Sequence, residues 1–249
     1  MEFPNIWHEE TQVKTFEIDF YQRWKTASFF QAMQEAAAHH AAALGFGYEE
    51  MLSKNMAWIL SRVRIRFLAF PTLGDRVQIE TWPKGVQQRL LYMRDFYLTG
   101  STGARLAEAC TAWLLVDPRA RRILPPQSLT GALPDNGGRA AINEPLEKLN
   151  PPTGLVERLT RSADYSTIDL MGHVTSSRYL EWIADTFSLE EHRARRLADL
   201  QVNFTNEVKP GENVTIASGP DGGDPSRWWV QGTNGITGQR AFDAVLKFV

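Results

Sequence analysis

The chain has 249 residues, 43% of them hydrophobic, enough apolar material for one large core or two small ones. Its 27 Lys and Arg nearly balance its 29 Asp and Glu, and a formal charge of −2 leaves no basic footprint for nucleic acid or an anionic membrane surface. A lone cysteine, Cys110, excludes an intrachain disulfide, and the opening M-E-F-P-N-I-W-H-E-E has neither a basic n-region nor an apolar h-region, so the sequence reads as cytoplasmic. In that setting the N-x-T sequons at Asn203 and Asn213 carry no weight.

The first strong element is A-S-F-F-Q-A-M-Q-E-A-A-A-H-H-A-A-A-L, Ala27 to Leu44. It is Ala-rich and nearly uncharged, as a helix covered on most sides should be, and Gly45 and Gly47 can stop it. Next comes V-R-I-R-F-L-A-F-P-T-L-G-D-R-V-Q-I-E-T from Val63, then T-G-A-R-L-A-E-A-C-T-A-W from Thr102, both alternating as half-buried strands do. From Asp117 to Gly154 lie seven of the 13 prolines and the turn P-D-N-G-G, which predicts a linker crossing the surface. A shorter, amphipathic helix is predicted from Ser177 to Phe187, followed by the basic run H-R-A-R-R at His192. Strands resume with L-Q-V-N-F-T-N-E-V-K-P-G-E-N-V-T-I-A-S from Leu200 and T-G-Q-R-A-F-D-A-V-L-K-F from Thr237.

The two strand blocks match without a gap, Phe67 on Phe204, Gly74 on Gly211 and Ile79 on Ile216. Aligning I-D-F-Y-Q-R-W at Ile18 with I-D-L-M-G-H-V at Ile168 sets Phe29 opposite Tyr179. The chain is thus a tandem duplication of a helix-then-strands unit. A long apolar helix followed by alternating strands gives an α+β arrangement, an antiparallel sheet curled around its helix. Residues 1–116 form the first half, 117–154 the linker and 155–249 the second half.

This duplicated pattern, with D-L-M-G-H-V-T-S-S-R-Y-L-E-W opening the second copy, resembles the double hot-dog acyl-ACP thioesterases of plants and bacteria over almost the whole chain. The segments F-E-I-D, Q-E-A-A-A-H-H-A, W-I-L-S-R, P-T-L-G-D-R-V-Q-I-E-T-W and T-G-A-R-L-A-E-A are similar to that family's first copy in order and spacing. The resemblance implies hydrolysis of fatty acyl-ACP, with the acyl chain on the side of the first copy and the catalytic motif in the second. It puts catalytic roles on Asp169, His173 and Glu207. Two positions depart from the family pattern. Met171 stands where the family has asparagine, and Val208 where plant members have cysteine. A thioether cannot donate as an amide does. D-x-M-G-H-V is also similar to single hot-dog acyl-CoA thioesterases of the 4-hydroxybenzoyl-CoA type, which gives one alternative. A non-hydrolysing acyl-carrier-binding protein gives another.

Thioester hydrolysis needs a polarised carbonyl and a carboxylate that attacks or activates water. Gly172 allows close backbone approach, and the helix start after His173 offers free N–H groups for an oxyanion. The bland reading makes Asp169 a cap at the helix entry, with Thr175, Ser176 and Ser177 as competing caps. In the first copy the matching residues are Asp19, Gln22, Arg23 and Phe70, so Asp19 is expected to pair with Arg23 and only the second copy to react. His39 and His40 are expected in the core or tunnel lining, and Cys110 as a buried thiol. Arg62, Arg64 and Arg66 share one strand face, either solvated or a dock for an acidic carrier protein. The chemistry calls for no cofactor and no metal, and pairing of two chains into a homodimer through a sheet edge stays open.

Overall fold

In the computed structural model, which describes residues 4–249, the Ala-rich run is helical from Thr26 to Ala43 (α1). Phe29, Phe30, Met33, Ala36, Ala37 and His40 are buried along it, and the small alanines let strands approach closely. Gly45, at φ +76°, turns the chain out of the helix, a conformation most L-residues avoid. The chain divides into two compact units between Leu146 and Glu147. In the first, α1 and the short α2 (Tyr48–Ser53) accompany strands β1 (Trp7–Gln12), β2 (Ala57–Phe67), β3 (Arg76–Gln87), β4 (Leu91–Gly100), β5 (Arg105–Asp117) and β6 (Arg122–Ile123). The strands pair antiparallel in the order β1-β3-β4-β5-β2, with β6 added to β5. Phe29 meets Phe67 and Phe70 edge-on at 5.2 and 5.6 Å between ring centroids. Each such side chain contributes roughly 1.5–3 kcal/mol by leaving water.

Alternation along β4 separates two faces. Towards α1, the buried Arg94 donates through Nη1 to His40 Nδ1 (3.0 Å) and Thr81 Oγ1 (3.2 Å). That bond fixes His40 as the neutral tautomer whose Nε2–H donates to the Pro4 carbonyl at 2.8 Å. Burial, then the Arg94 charge, hold His40 down to about 4, and the Pro4 carbonyl opposes them. His39, in contrast, is half exposed and pairs with Glu9 at 2.9 Å.

On the opposite face Asp95 is wholly buried and meets Lys84 Nζ at 3.1 Å. The Ala141 amide donates to Asp95 Oδ2 (2.6 Å), and Lys84 also donates to the Ile142 carbonyl. Trp82 Nε1 donates to the Arg139 carbonyl (3.1 Å) and the Tyr97 hydroxyl to that of Ala140 (3.2 Å). Ile142 and Leu146 pack with Leu91, Met93, Cys110 and Ala112, so Cys110 is a buried thiol as its strand alternation predicts. Much of the proline-rich stretch is therefore strapped to the sheet. Its main-chain groups find partners there that a free surface crossing would take from water.

The second unit holds β7 (Val156–Ser162), α3 (Ser176–Ala184), α4 (Leu189–Ala194), β8 (Leu197–Phe204), β9 (Asn213–Asp221), β10 (Asp224–Asn234) and β11 (Arg240–Phe248). Its sheet runs β8-β11-β10-β9-β7, again antiparallel. The predicted helix ends at Ala184 rather than Phe187. The reason is a new start: Ser188 Oγ accepts from the Glu191 amide, and Glu191 Oε2 accepts from the Ser188 amide, a reciprocal cap that opens α4. Each unit is thus a helix set on an antiparallel sheet, the α+β class predicted from the repeat.

Lys84→Met should cost about 3–5 kcal/mol in urea unfolding, because it leaves Asp95 buried without its counter-charge. A second expectation follows from His40. Its value falls from 6.5 in the unfolded chain to about 4 in the fold, so the unfolded chain binds more protons between those pH values. Its contribution is complete above pH 6.5 and is lost as pH falls towards 4. Urea midpoints measured at pH 7.5, 6 and 5 should decrease in that order, and decrease less in His40→Gln.

Candidate active site

The stretch Ile168–Val174 closes on itself as a tight turn. Ile168 and Val174 form a bridge, the Asp169 amide donates to the His173 carbonyl (2.9 Å), and the Gly172 amide returns to the Asp169 carbonyl (3.0 Å). Asp169 Oδ1 accepts from the Met171 amide (2.8 Å) and, more weakly, from that of His173 (3.4 Å). Gly172 sits at φ +80°, which the turn requires. No substituent would clash there, so the glycine serves conformation rather than space.

The first copy repeats this turn with Asp19 Oδ1 accepting from the Tyr21 and Arg23 amides (2.8 and 2.9 Å) and Gln22 forced to φ +60°. There Arg23 Nε also reaches Asp19 Oδ2 at 3.1 Å, the ion pair expected from the alignment. Among the described residues, the hydrogen bonds to the exposed Asp169 side chain all end on Oδ1. Its second oxygen takes no part in holding the turn.

A second loop comes to the turn through the main chain. The Val174 amide donates to the carbonyl of the fully buried Val208 (3.0 Å), which carries Glu207 to His173: Nε2 and Oε2 stand 3.2 Å apart. Thr205 and Asn206 side chains donate to the Arg240 carbonyl (2.6 and 2.7 Å), and Glu212 Oε2 accepts from the Lys209 amide and Asn234 Nδ2 (2.7 and 2.8 Å). The Lys209 amide, opposed by partial desolvation and aided by Asn234, keeps the Glu212 carboxyl below the usual range. In the first copy the Trp24 amide meets the Pro71 carbonyl at 2.9 Å, but Phe70 takes the place of Glu207 and stacks on Phe67. One scaffold thus presents an ionisable pair in the second unit and an aromatic cluster in the first.

At the start of α3, Thr175 is the N-cap residue yet forms no side-chain cap bond, so hydroxyls do not occupy the first amides. Met171 contributes only its backbone to the turn. The three strand arginines sit differently from an open dock. Arg62 donates to the Leu146 carbonyl, Arg66 pairs with Glu144 (3.0 Å) and Glu108 (3.6 Å), and Arg64 lies within electrostatic reach of Glu144. Among the described residues no cluster of His, Cys, Asp and Glu could hold a metal. A cleft of about 320 Å³ in the first unit, lined by Tyr92, Leu133 and Arg139 among others, includes none of the predicted site residues. Sequence reading passed over Glu212, which closes its loop as its counterpart Asp75 does by accepting from the Thr72 amide (2.8 Å).

A helix on an antiparallel sheet, twice over, with an acid and a histidine on the second entry turn, defines the double hot-dog class. The profile of the acyl-ACP thioesterase N-terminal domain matches residues 4–127, and that of the C-terminal domain matches residues 156–239. The chain belongs to the acyl-ACP thioesterase family. It is 25% identical over 215 residues to a chloroplastic palmitoyl-acyl carrier protein thioesterase of Gossypium hirsutum, covering 81% of this chain and 52% of the relative. The chain therefore spans about half the length of that relative. In fold it is similar to an acyl-ACP thioesterase of Bacteroides thetaiotaomicron (TM-score 0.82, 24% identity, 98% of each chain). A 12:0-ACP thioesterase of Umbellularia californica gives a TM-score of 0.79 at 19% identity, over 99% of this chain and 98% of that one.

The turn separates two roles of Asp169. Asp169→Ala removes the acceptor for two amides and should cost about 1–2 kcal/mol of stability, whereas Asp169→Asn keeps a carbonyl there and should cost little. Thermal and urea unfolding of the pair would read the difference.

Proposed function

We propose that this protein hydrolyses fatty acyl thioesters carried on acyl carrier protein, releasing a free fatty acid and the carrier thiol. The observation that carries this reading is the 3.2 Å contact of His173 and Glu207 beside the half-committed carboxylate of Asp169. Family membership supports the substrate class. In this scheme Asp169 Oδ2 acts as general base, or as nucleophile, at the thioester carbonyl, and His173 with Glu207 orients the water and relays its proton. Along the general-base route the water oxygen bonds to the carbonyl carbon, the C–S bond breaks, and the proton passes to the departing thiolate. Gly172 holds the turn open, and the amides opening α3 face the growing negative charge with the helix's positive end.

Carrier docking on Arg62, Arg64 and Arg66 is not retained, since Arg62 and Arg66 already hold Leu146 and Glu144. We place the reaction in the cytoplasm, a reading that rests on the unpaired, buried Cys110; no helix among the described residues is long and apolar enough to cross a membrane.

The test is thiol release from a panel of acyl-ACPs and acyl-CoAs. Asp169→Asn should lower kcat/KM by about 100-fold or more, and His173→Ala and Glu207→Gln by at least about tenfold. Full turnover by folded Asp169→Asn would overturn the assignment, and a higher kcat/KM on CoA substrates would replace the carrier.

A further inference from the structure

Tyr179 lies in the first turns of α3, 4% exposed, its ring held between Trp182 (5.3 Å), Phe242 (5.2 Å) and Phe204 (5.9 Å). Its counterpart in the first unit is Phe29, which packs against Phe67, the equivalent of Phe204, though edge-on rather than tilted. Packing alone is therefore satisfied by phenylalanine at this position. The copy that carries Glu207 and His173 carries an added hydroxyl; the copy with Phe70 and Arg23 does not.

The ring is buried, while the hydroxyl at its tip is not fully sealed from solvent, so the packing of the ring does not account for it. Among the described residues no protein group takes a hydrogen bond from the Tyr179 hydroxyl. It lies close enough to Asp169, Glu212 and Glu207 to feel their charges. Burial first, then these three carboxylates, push the phenol well above its ordinary value, so it keeps its proton throughout the working pH range. The residue is thus a protonated donor within electrostatic reach of the three carboxylates. Met171 offers no side-chain donor on the neighbouring turn.

We propose that Tyr179 donates a hydrogen bond to the carbonyl oxygen of the bound thioester and stabilises its negative charge as the carbon becomes tetrahedral, beside the amides that open α3. This rests on the hydrolytic reading given above. The phenol transfers no proton: it binds the oxyanion more tightly than the planar carbonyl, which is why its effect belongs in kcat.

The experiment compares wild type, Tyr179→Phe and Asp169→Asn on whichever acyl-ACP the wild type turns over fastest. Phe29 shows that phenylalanine fits this packing, and melting temperature checks it. Tyr179→Phe should lower kcat by about 10²–10³-fold with KM within threefold and an unchanged melting temperature. A kcat within twofold of wild type, or a loss carried by KM or by melting temperature instead, would overturn the proposal. Asp169→Asn then separates the two readings: its inactivity keeps the site while Tyr179 is dismissed, and its full activity dismisses the site itself.

Discussion

One main-chain hydrogen bond sets the geometry of the second unit's site. The Val174 amide on the Val208 carbonyl joins the end of the Asp169 turn to the loop after β8. Neither His173 nor Glu207 is deeply buried, and a surface ion pair between two such side chains holds little by itself. The backbone contact removes that dependence. It is shielded by the apolar Val208 and flanked by loops whose turns are closed by Glu212, Thr205 and Asn206, so the two ionisable groups are held near each other by a main-chain contact that does not itself titrate.

The duplication supplies an internal control. Both units keep the turn acid, the left-handed residue three positions on, the amide-to-carbonyl contact and the closing acid of the next loop, Asp75 or Glu212. What differs is confined to side chains around that frame: Arg23 against His173, Phe70 against Glu207, Phe29 against Tyr179. The first unit uses the frame to seat aromatic rings, and Gln22 tolerates a strain of about 1 kcal/mol there that Gly172 avoids. The second uses it to present acids and a histidine.

The helix–sheet units were legible because their signals are periodic: alternation in the strands, alanine density in α1, and a repeat that aligns Gly74 with Gly211. The site was legible in part. Asp169 and His173 share one turn in the sequence, but the approach of Glu207 came only from the family resemblance, since a backbone hydrogen bond at Val208 leaves no mark on residue type. Tyr179 reads as core because its ring is core, and only the comparison with Phe29 isolates its hydroxyl. The arginines of β2 were placed on the correct face by alternation, yet alternation does not reveal what covers a face. The covering strap is recognised through its carbonyls and amides, which every residue possesses.

That strap has an evolutionary corollary. Lys84, Asp95, Trp82, Tyr97 and Arg62 grip the backbone of residues 139–146, whose own side chains hold at five places: Ala141, Ile142 and Leu146 are buried, Arg139 reaches Glu80 and Trp82, and Glu144 reaches Arg66. Away from those five positions the strap's own letters are then free to drift, while the sheet residues that read its backbone are not. A compositional break in the sequence can hide a strict constraint written several strands away.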